Sequence, residues 1–574
     1  LIQEGELWLR GTGMAGANVT GNDIQVGSFA RLRINDPSNI GSRQLIILQN
    51  NDSSSAAGIT FGPGYGTGAG ITFSSLTATG GVPASGPYNI LIANNQSGQG
   101  RRVGVTISGL NNFQSDLLAQ IATVAPNVEA WFGADNGNGV YTGSTLTATG
   151  STKAFRLGGF NGTGGTLTIA NANVLTGAFP LIVGNSDQND RQYTDGTIYI
   201  PQSQNYSGQV TIGSGGILHV GNNGALSTGN NTILMRAGEL RVETMVGGYN
   251  ALDTQYGARI VNFTGGNGTL RTSAISGGGY NTITMGDMVY ADTGTDRALV
   301  VGTLGTIFTN LQVSGITMPN AARTLFIDVG ADNNFQSGIG ALTVTGIIGD
   351  QATGAQTLQK RNGGPLVLQA DNTYDGNTLV QQGRLVLEHV GAAGSAATSL
   401  QFNTNNDRRS DIEFRLDGSG PFVIPNASIS TGTAGNDGST RVLTAGPITP
   451  GNENQVVVLP ALTIAHAGAY AVNGGTSSAL YCDGFNGYQF QLGDVALNRS
   501  IVLRTRGALT TVNGVISGAA ANALEKSEQG TLWLNGNNTY AGTTTISNGY
   551  LIAGHDNAFG AATSNIVFRN NVFS

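Results

Sequence analysis

GTLWLNGNNTYAGTTTISNGYLIAGHDNAFG, residues Gly530–Gly560, is the stretch that decides the fold, because the chain repeats it. A second copy reads GPLVLQADNTYDGNTLVQQGRLVLEHVGAAG from Gly364, and a third reads GTIYIPQSQNYSGQVTIGSGGILHVGNNGALSTG from Gly196. In each copy the tyrosine (Tyr206, Tyr374, Tyr540) stands ten residues after the first glycine. A further glycine (Gly208, Gly376, Gly542) follows two residues later. A blurred copy starts at Gly5, with Gly5, Trp8 and Gly16 roughly in register and no tyrosine. A repeated unit of this kind stacks on its neighbour to bury a shared core.

Within a copy the pattern is short and alternating. Thr197-Ile198-Tyr199-Ile200, Gln209-Val210-Thr211-Ile212 and Gly216-Ile217-Leu218-His219-Val220 are strand signals separated by polar turns. The turns hold Gly-Asn, Asn-Asn and Gly-Gly pairs, which tolerate positive φ. The 89 glycines follow no Gly-X-Y period, which excludes collagen. Composition hardly changes along the 574 residues and no linker interrupts it, so one solenoid fits better than several sandwiches. Coils of roughly 20–25 residues, stacked about 4.8 Å apart, would give a rod on the order of 120 Å.

Above the coil lies a longer period. The copies start 168 residues apart from Gly196 to Gly364 and 166 apart from Gly364 to Gly530, against 191 from Gly5 to Gly196. The spacing divides the solenoid into long repeats 1–195, 196–363 and 364–529, with 530–574 opening a fourth. The extra length in the first is assigned to an insertion near 113–140. There Ser115-Asp116 precedes Leu117-Leu118-Ala119-Gln120-Ile121-Ala122-Thr123-Val124-Ala125, a helix with a cap-like opening. The alternative for that segment is two buried strands.

The copies resemble the passenger-associated transport repeat of bacterial autotransporters. The resemblance rests on the leader Gly514-Val515-Ile516-Ser517-Gly518 through Leu524 and Lys526 to Gly530, and on Gly346-Ile347-Ile348-Gly349 through Leu358 and Lys360 to Gly364. It rests equally on the cores Asn538-Thr539-Tyr540-Ala541-Gly542 and Asn372-Thr373-Tyr374-Asp375-Gly376; Asn205-Tyr206-Ser207-Gly208 lacks the threonine. It implies a right-handed parallel β-helix in an extracellular stalk, fibre or coat, and no particular activity. The chain begins at Leu1, shows no translocator barrel and stops at Asn571-Val572-Phe573-Ser574, so it reads as a segment of a longer polypeptide.

Composition narrows the function. Charged residues make up 11% of the chain and the net charge is −7, with no basic cluster beyond Arg101-Arg102 and Arg408-Arg409. Nucleic-acid binding needs a basic face and is not expected. No apolar run approaches the length of a membrane span. Cys482 stands alone, so no internal disulfide can form and a free buried thiol is expected. Such avoidance of cysteine is common in chains exported through an oxidising compartment. Hydrophobic residues reach 39%, enough for a continuous core, and the many Asn residues can stack in ladders between coils.

Candidates for chemistry are few. Asp411 and Glu413 share a strand face near Arg408 and Arg409, as an acid–base pair would, and a charge-balanced solvated strand explains them equally well. Glu239, Arg241 and Glu243 read as a surface ladder. His219, His389 and His555 lie thirteen, fifteen and fifteen residues after their tyrosines, so they read as turn positions carried with the repeat. His466 has no partner in the pattern. Separation by whole long repeats argues against a metal site. The repeat tyrosines, Trp8 and Trp533 could stack on sugars, although packing at coil corners is the better reading. Phosphate-loop, zinc-protease, serine-hydrolase and calcium-nonapeptide motifs are absent.

The expected protein is therefore all-β, an elongated right-handed parallel β-helix with one small helical insertion. Its structural motif residues are Gly196, Tyr206, Gly208, Gly364, Tyr374, Gly376, Gly530, Tyr540 and Gly542, and no catalytic residue, metal site or cofactor is assigned. The expected role is a non-catalytic stalk or fibre segment at the bacterial cell surface, associating with its own copies into a filament or layer. Two other readings stand beside it. An adhesin would bind glycans or a host surface through Ser115–Gly139 and Asn403–Asp411. A β-helical polysaccharide-degrading enzyme would use Asp411.

Overall fold

The computed structural model describes residues 5–9, 24–26, 30–35, 46–48, 56–69, 71–76 and 89–93. From residue 101 it describes all but 160–163, 186–194, 230–231, 245–250, 275–280, 292–295, 305–308, 319–321, 331–340, 351–353, 403–408, 432–439, 466–478, 508 and 570–574. Arg408, His466 and most of the Asn403–Asp411 loop therefore lie outside the described residues. The chain is an all-β parallel β-helix: the described residues form long parallel sheets and one α-helix. It forms two compact units, Leu1–Gly248 with Ala258–Gly277, and Tyr249–Gly257 with Gly278–Ser574.

In the first unit one face runs from Gly5–Leu9 through Ala30–Ile34, Ala56–Phe61, Arg101–Ile107 and Val128–Ala134 to Ile260–Phe263. A second face stacks Gly139–Tyr141, Thr166–Ile169, Gly196–Ile200, Gly216–Val220, Glu239–Thr244 and Gly268–Ala274. Register keeps like on like. Ile198, Leu218, Leu240 and Leu270 form one inward column of directly paired residues, each essentially without solvent contact. Burying each such side chain stabilises the fold by about 1.5–3 kcal/mol.

The helix falls where the insertion was expected, at Leu117–Val124. The Asp116 carboxylate caps it by accepting from the Ala119 N–H at 3.0 Å. The helix is part of the core, with Leu117, Leu118 and Ile121 buried. Gln120 donates to the carbonyl of Ile71 at 3.0 Å, tying the helix to the chain just before the strand Thr72–Leu76.

The second unit has three faces in each coil. Strand Thr357–Arg361 lies on one (face one), Leu366–Leu368 on the next (face two) and Ile348–Gly349 on the last (face three). The inward column on face two is Leu311, Leu342, Leu366, Leu385, Ile412, Leu443 and Cys482. Cys482 thus occupies a leucine slot as a free buried thiol, and burial, with Asp483 beside it, pushes that thiol up to about 12. Coil length is less regular than the repeat suggests. Leu366 pairs with Leu385, nineteen residues on, whereas Leu443 pairs with Cys482, thirty-nine residues on.

Candidate functional site

Among the described residues, face three has no strand between Ile348–Gly349 and Phe422–Val423. The tripeptide Asn372-Thr373-Tyr374 stacks on Ile348 in that gap: the Thr373 N–H donates to the Ile348 carbonyl at 3.0 Å and the Asn372 N–H to the Gly391 carbonyl at 3.1 Å, and the Asn372 side chain adds two more bonds between coils. Asn372 Oδ1 accepts from the Ile348 N–H of the preceding coil at 2.7 Å, and its Nδ2 donates to the Ala392 carbonyl of the following coil at 2.5 Å. Asn538 repeats this, accepting from Ile516 at 2.7 Å and donating to Ala558 at 2.6 Å. One buried amide therefore joins three coils, and each group it satisfies would otherwise be a costly buried orphan.

The tyrosine sits inside the same corner. Tyr374 and Tyr540 are fully buried, with hydroxyls 2.5 Å from Thr378 Oγ1 and Thr544 Oγ1. Thr378 in turn donates to the Ala393 carbonyl at 2.8 Å. Tyr206 is equally buried but donates directly to the Ala225 carbonyl at 3.2 Å. Its neighbour two residues back is Gln204, which accepts from the N–H groups of Val174 and Leu175 at 2.8 and 3.0 Å. The longer amide thus serves the preceding coil in place of the asparagine. Burial pushes all three phenols up, so they stay protonated.

The glycine after each tyrosine is a contact requirement. A Cβ on Gly376 would lie 2.1 Å from the Gln356 carbonyl oxygen, one on Gly542 1.8 Å from that of Asn522, and one on Gly208 2.2 Å from that of Phe179. Each glycine is pressed against the preceding coil. Of the opening glycines, Gly196 has φ +97, a left-handed conformation, and Gly364 is close against the Val329 carbonyl, at 2.8 Å from a built Cβ. Gly530 donates its N–H to Thr505 at 2.9 Å.

The leader lysine was read only as a motif letter, and the structure gives it a place. Lys360 is fully buried, and its ammonium donates to the carbonyls of Arg361, Asn362 and Gln382 at 2.6, 2.5 and 3.1 Å. Lys526 meets Ser527, Glu528 and Asn548 at 2.9, 2.7 and 2.9 Å. The third carbonyl in each cage belongs to the next coil. Burial pulls Lys360 down to about 7 and Lys526 to about 8.

These cages and corners lie in the two segments, 358–387 and 524–553, that match the family model for the passenger-associated-transport-repeat. The chain carries the passenger-associated transport repeat. No curated protein and no solved structure matches it. The two copies of the passenger repeat do not occupy equivalent sides of their unit. Lys360 lies on face one; six coil steps along that face lead to Ile516–Gly518, and Lys526 follows on face two. The passenger repeat has advanced by one face, with its internal bonds unchanged.

The remaining candidates resolve into pairs. Asp411 and Glu413 do share an outward face. Asp411 accepts from Arg409 at 2.8 Å, and Glu413 accepts from Arg415 at 2.7 Å and lies 3.3 Å from Arg384. Burial raises the Asp411 carboxyl, and Arg409 and Arg384 oppose that shift. Glu239 pairs with Arg241 at 2.5 Å and Arg271 at 3.0 Å. Glu243, however, turns to His219 at 2.9 Å and Tyr199 at 3.1 Å, a grouping no within-strand pattern displays. His389 and His555 use Nδ1 to accept from Gly391 at 3.2 Å and Asn557 at 3.0 Å, closing the same turn in both copies. Among the described residues no three or more His, Cys, Asp or Glu side chains cluster as metal ligands would. Asn ladders form between Asn513 and Asn535 at 3.0 Å and between Asn537 and Asn557 at 2.7 Å. Among the described residues no helix is long and apolar enough to cross a membrane.

Proposed function

We propose that this chain is a non-catalytic segment of a bacterial surface passenger, a β-helical stalk or fibre that associates with its own copies. The passenger repeat implies a secreted or cell-surface protein. The observation that carries the structural role is the use made of polar side chains. The Asn372 and Asn538 side chains join one coil to the next, and Lys360 and Lys526 each give one of three ammonium bonds to the following coil. The best acid–base candidate, Asp411 with Glu413, is neutralised by arginines. Stability in such a body is summed over nearest-neighbour coils.

Electron microscopy of material shed from the surface of the producing cells, labelled with an antibody to this chain, tests the reading. Labelled fibres or a labelled layer are the expected result. Dispersed, unassociated molecules at high concentration would overturn self-association, and label confined to the cell interior would overturn the surface role.

A further inference from the structure

The third residue after each opening glycine points outward, and its identity changes between copies: Tyr199, Val367 and Trp533. Tyr199 is drawn into contact with His219 and Glu243. Val367 shows that the repeat needs no aromatic ring here. The sequence pattern groups Trp533 with the tyrosines as corner packing. It lies instead on the outer surface of its sheet, 36% exposed, paired in register with Thr511 on one side and Ile552 on the other. Ile552 and Tyr550, which pairs with Thr531, lie on the same outward side of the adjoining strand.

From this we infer that the Trp533 surface is a binding platform for a neutral saccharide. An exposed indole beside a phenol offers a flat apolar face for the C–H side of a sugar ring, with polar edges at hand. The indole is seated firmly: a Cβ on Gly554 would come within 2.5 Å of Trp533 Nε1 and 2.0 Å of Asn535 Oδ1, so only glycine lets that edge close. The Asn535–Asn513 amide ladder is exposed on the same side and presents donors and acceptors to hydroxyl groups. Thr511, Thr531, Trp533, Tyr550 and Ile552 carry no charge, which suits an uncharged glycan and offers nothing to pair with a polyanion.

The test is titration of the 574-residue chain with chitohexaose, cellohexaose and maltohexaose at millimolar concentration, followed by saturation-transfer NMR and calorimetry. At least one should bind. Trp533→Val, which installs the residue found at position 367, should weaken binding at least tenfold with an unchanged unfolding midpoint, while Trp533→Tyr retains most of it. Failure of all three sugars to bind the unaltered chain overturns the proposal. Equal binding by the valine variant does so too, as does Trp533-dependent binding of heparin without any neutral sugar.

Discussion

The ammonium of Lys526 and the carbonyl oxygen of Asn548 meet at 2.9 Å across two successive coils. Lys360 makes the same bond to Gln382, so each leader lysine is closed in only when the following coil has stacked. Both lysines lie below the ordinary lysine value of about 10.4, at about 7 and about 8. Between about pH 7 and pH 10 the unfolded chain holds those protons and the folded chain has released them. Stability therefore rises with pH over that window, by at most about 1.4 kcal/mol per pH unit for each lysine. Below about pH 7 both states are protonated and the slope vanishes. Denaturation midpoints from pH 6 to 10, compared with Lys360→Met, check this. A flat profile would mean that the three carbonyls hold the proton throughout.

Asn538→Ala should destabilise its unit by about 2–4 kcal/mol, because the Ile516 N–H and the Ala558 carbonyl lose their partner inside the core. Asn538→Asp keeps the acceptor but sets a carboxylate oxygen against the Ala558 carbonyl, and its cost should grow as pH rises through the carboxylate range. Urea titration reads both; a loss below about 0.5 kcal/mol for alanine would show that the bridge is dispensable.

Gly542→Ala should cost about 3 kcal/mol or more, since its Cβ would meet the Asn522 carbonyl at 1.8 Å. Gly265→Ala is the control, with open space around the built Cβ, and should stay within about 0.5 kcal/mol. Equal effects at the two positions would sink the contact argument.

Ala237 sits at φ +61, where an L side chain is strained. Ala237→Gly should stabilise its unit by about 0.5–1 kcal/mol, opposing the entropic cost of glycine in the unfolded chain. Thermal unfolding of the two forms decides it, and a lower midpoint for glycine would show that the strain is absent.

The repeat and its alternation made the sheet faces readable, because inward residues such as Ile198, Leu218 and Leu240 recur at alternate positions of recognisable strands. The glycines two residues after the tyrosines were readable for the same reason. What the sequence hides is the partner supplied by backbone. Lys360 is visible as a letter in the leader, but Arg361, Asn362 and Gln382 serve it through carbonyls that every residue possesses. Glu243 was hidden differently: its partners His219 and Tyr199 lie on other coils, and reading along one strand joins Glu243 to Arg241 instead. For Trp533 the signal was present, since Thr531-Leu532-Trp533-Leu534 alternates and puts the indole on the wet side.

The advance of the passenger repeat by one face between its copies has an evolutionary meaning. A segment that builds the same bonds on either side of a coil is not tied to a fixed phase of the winding. Duplication need not copy a whole number of turns, and gain or loss of a third of a turn between copies leaves both intact. Outward residues at matching positions, such as Val367 and Trp533, then look out in different compass directions. Successive copies can thus vary their outer side chains like lamps on a spiral stair, each lighting a different bearing.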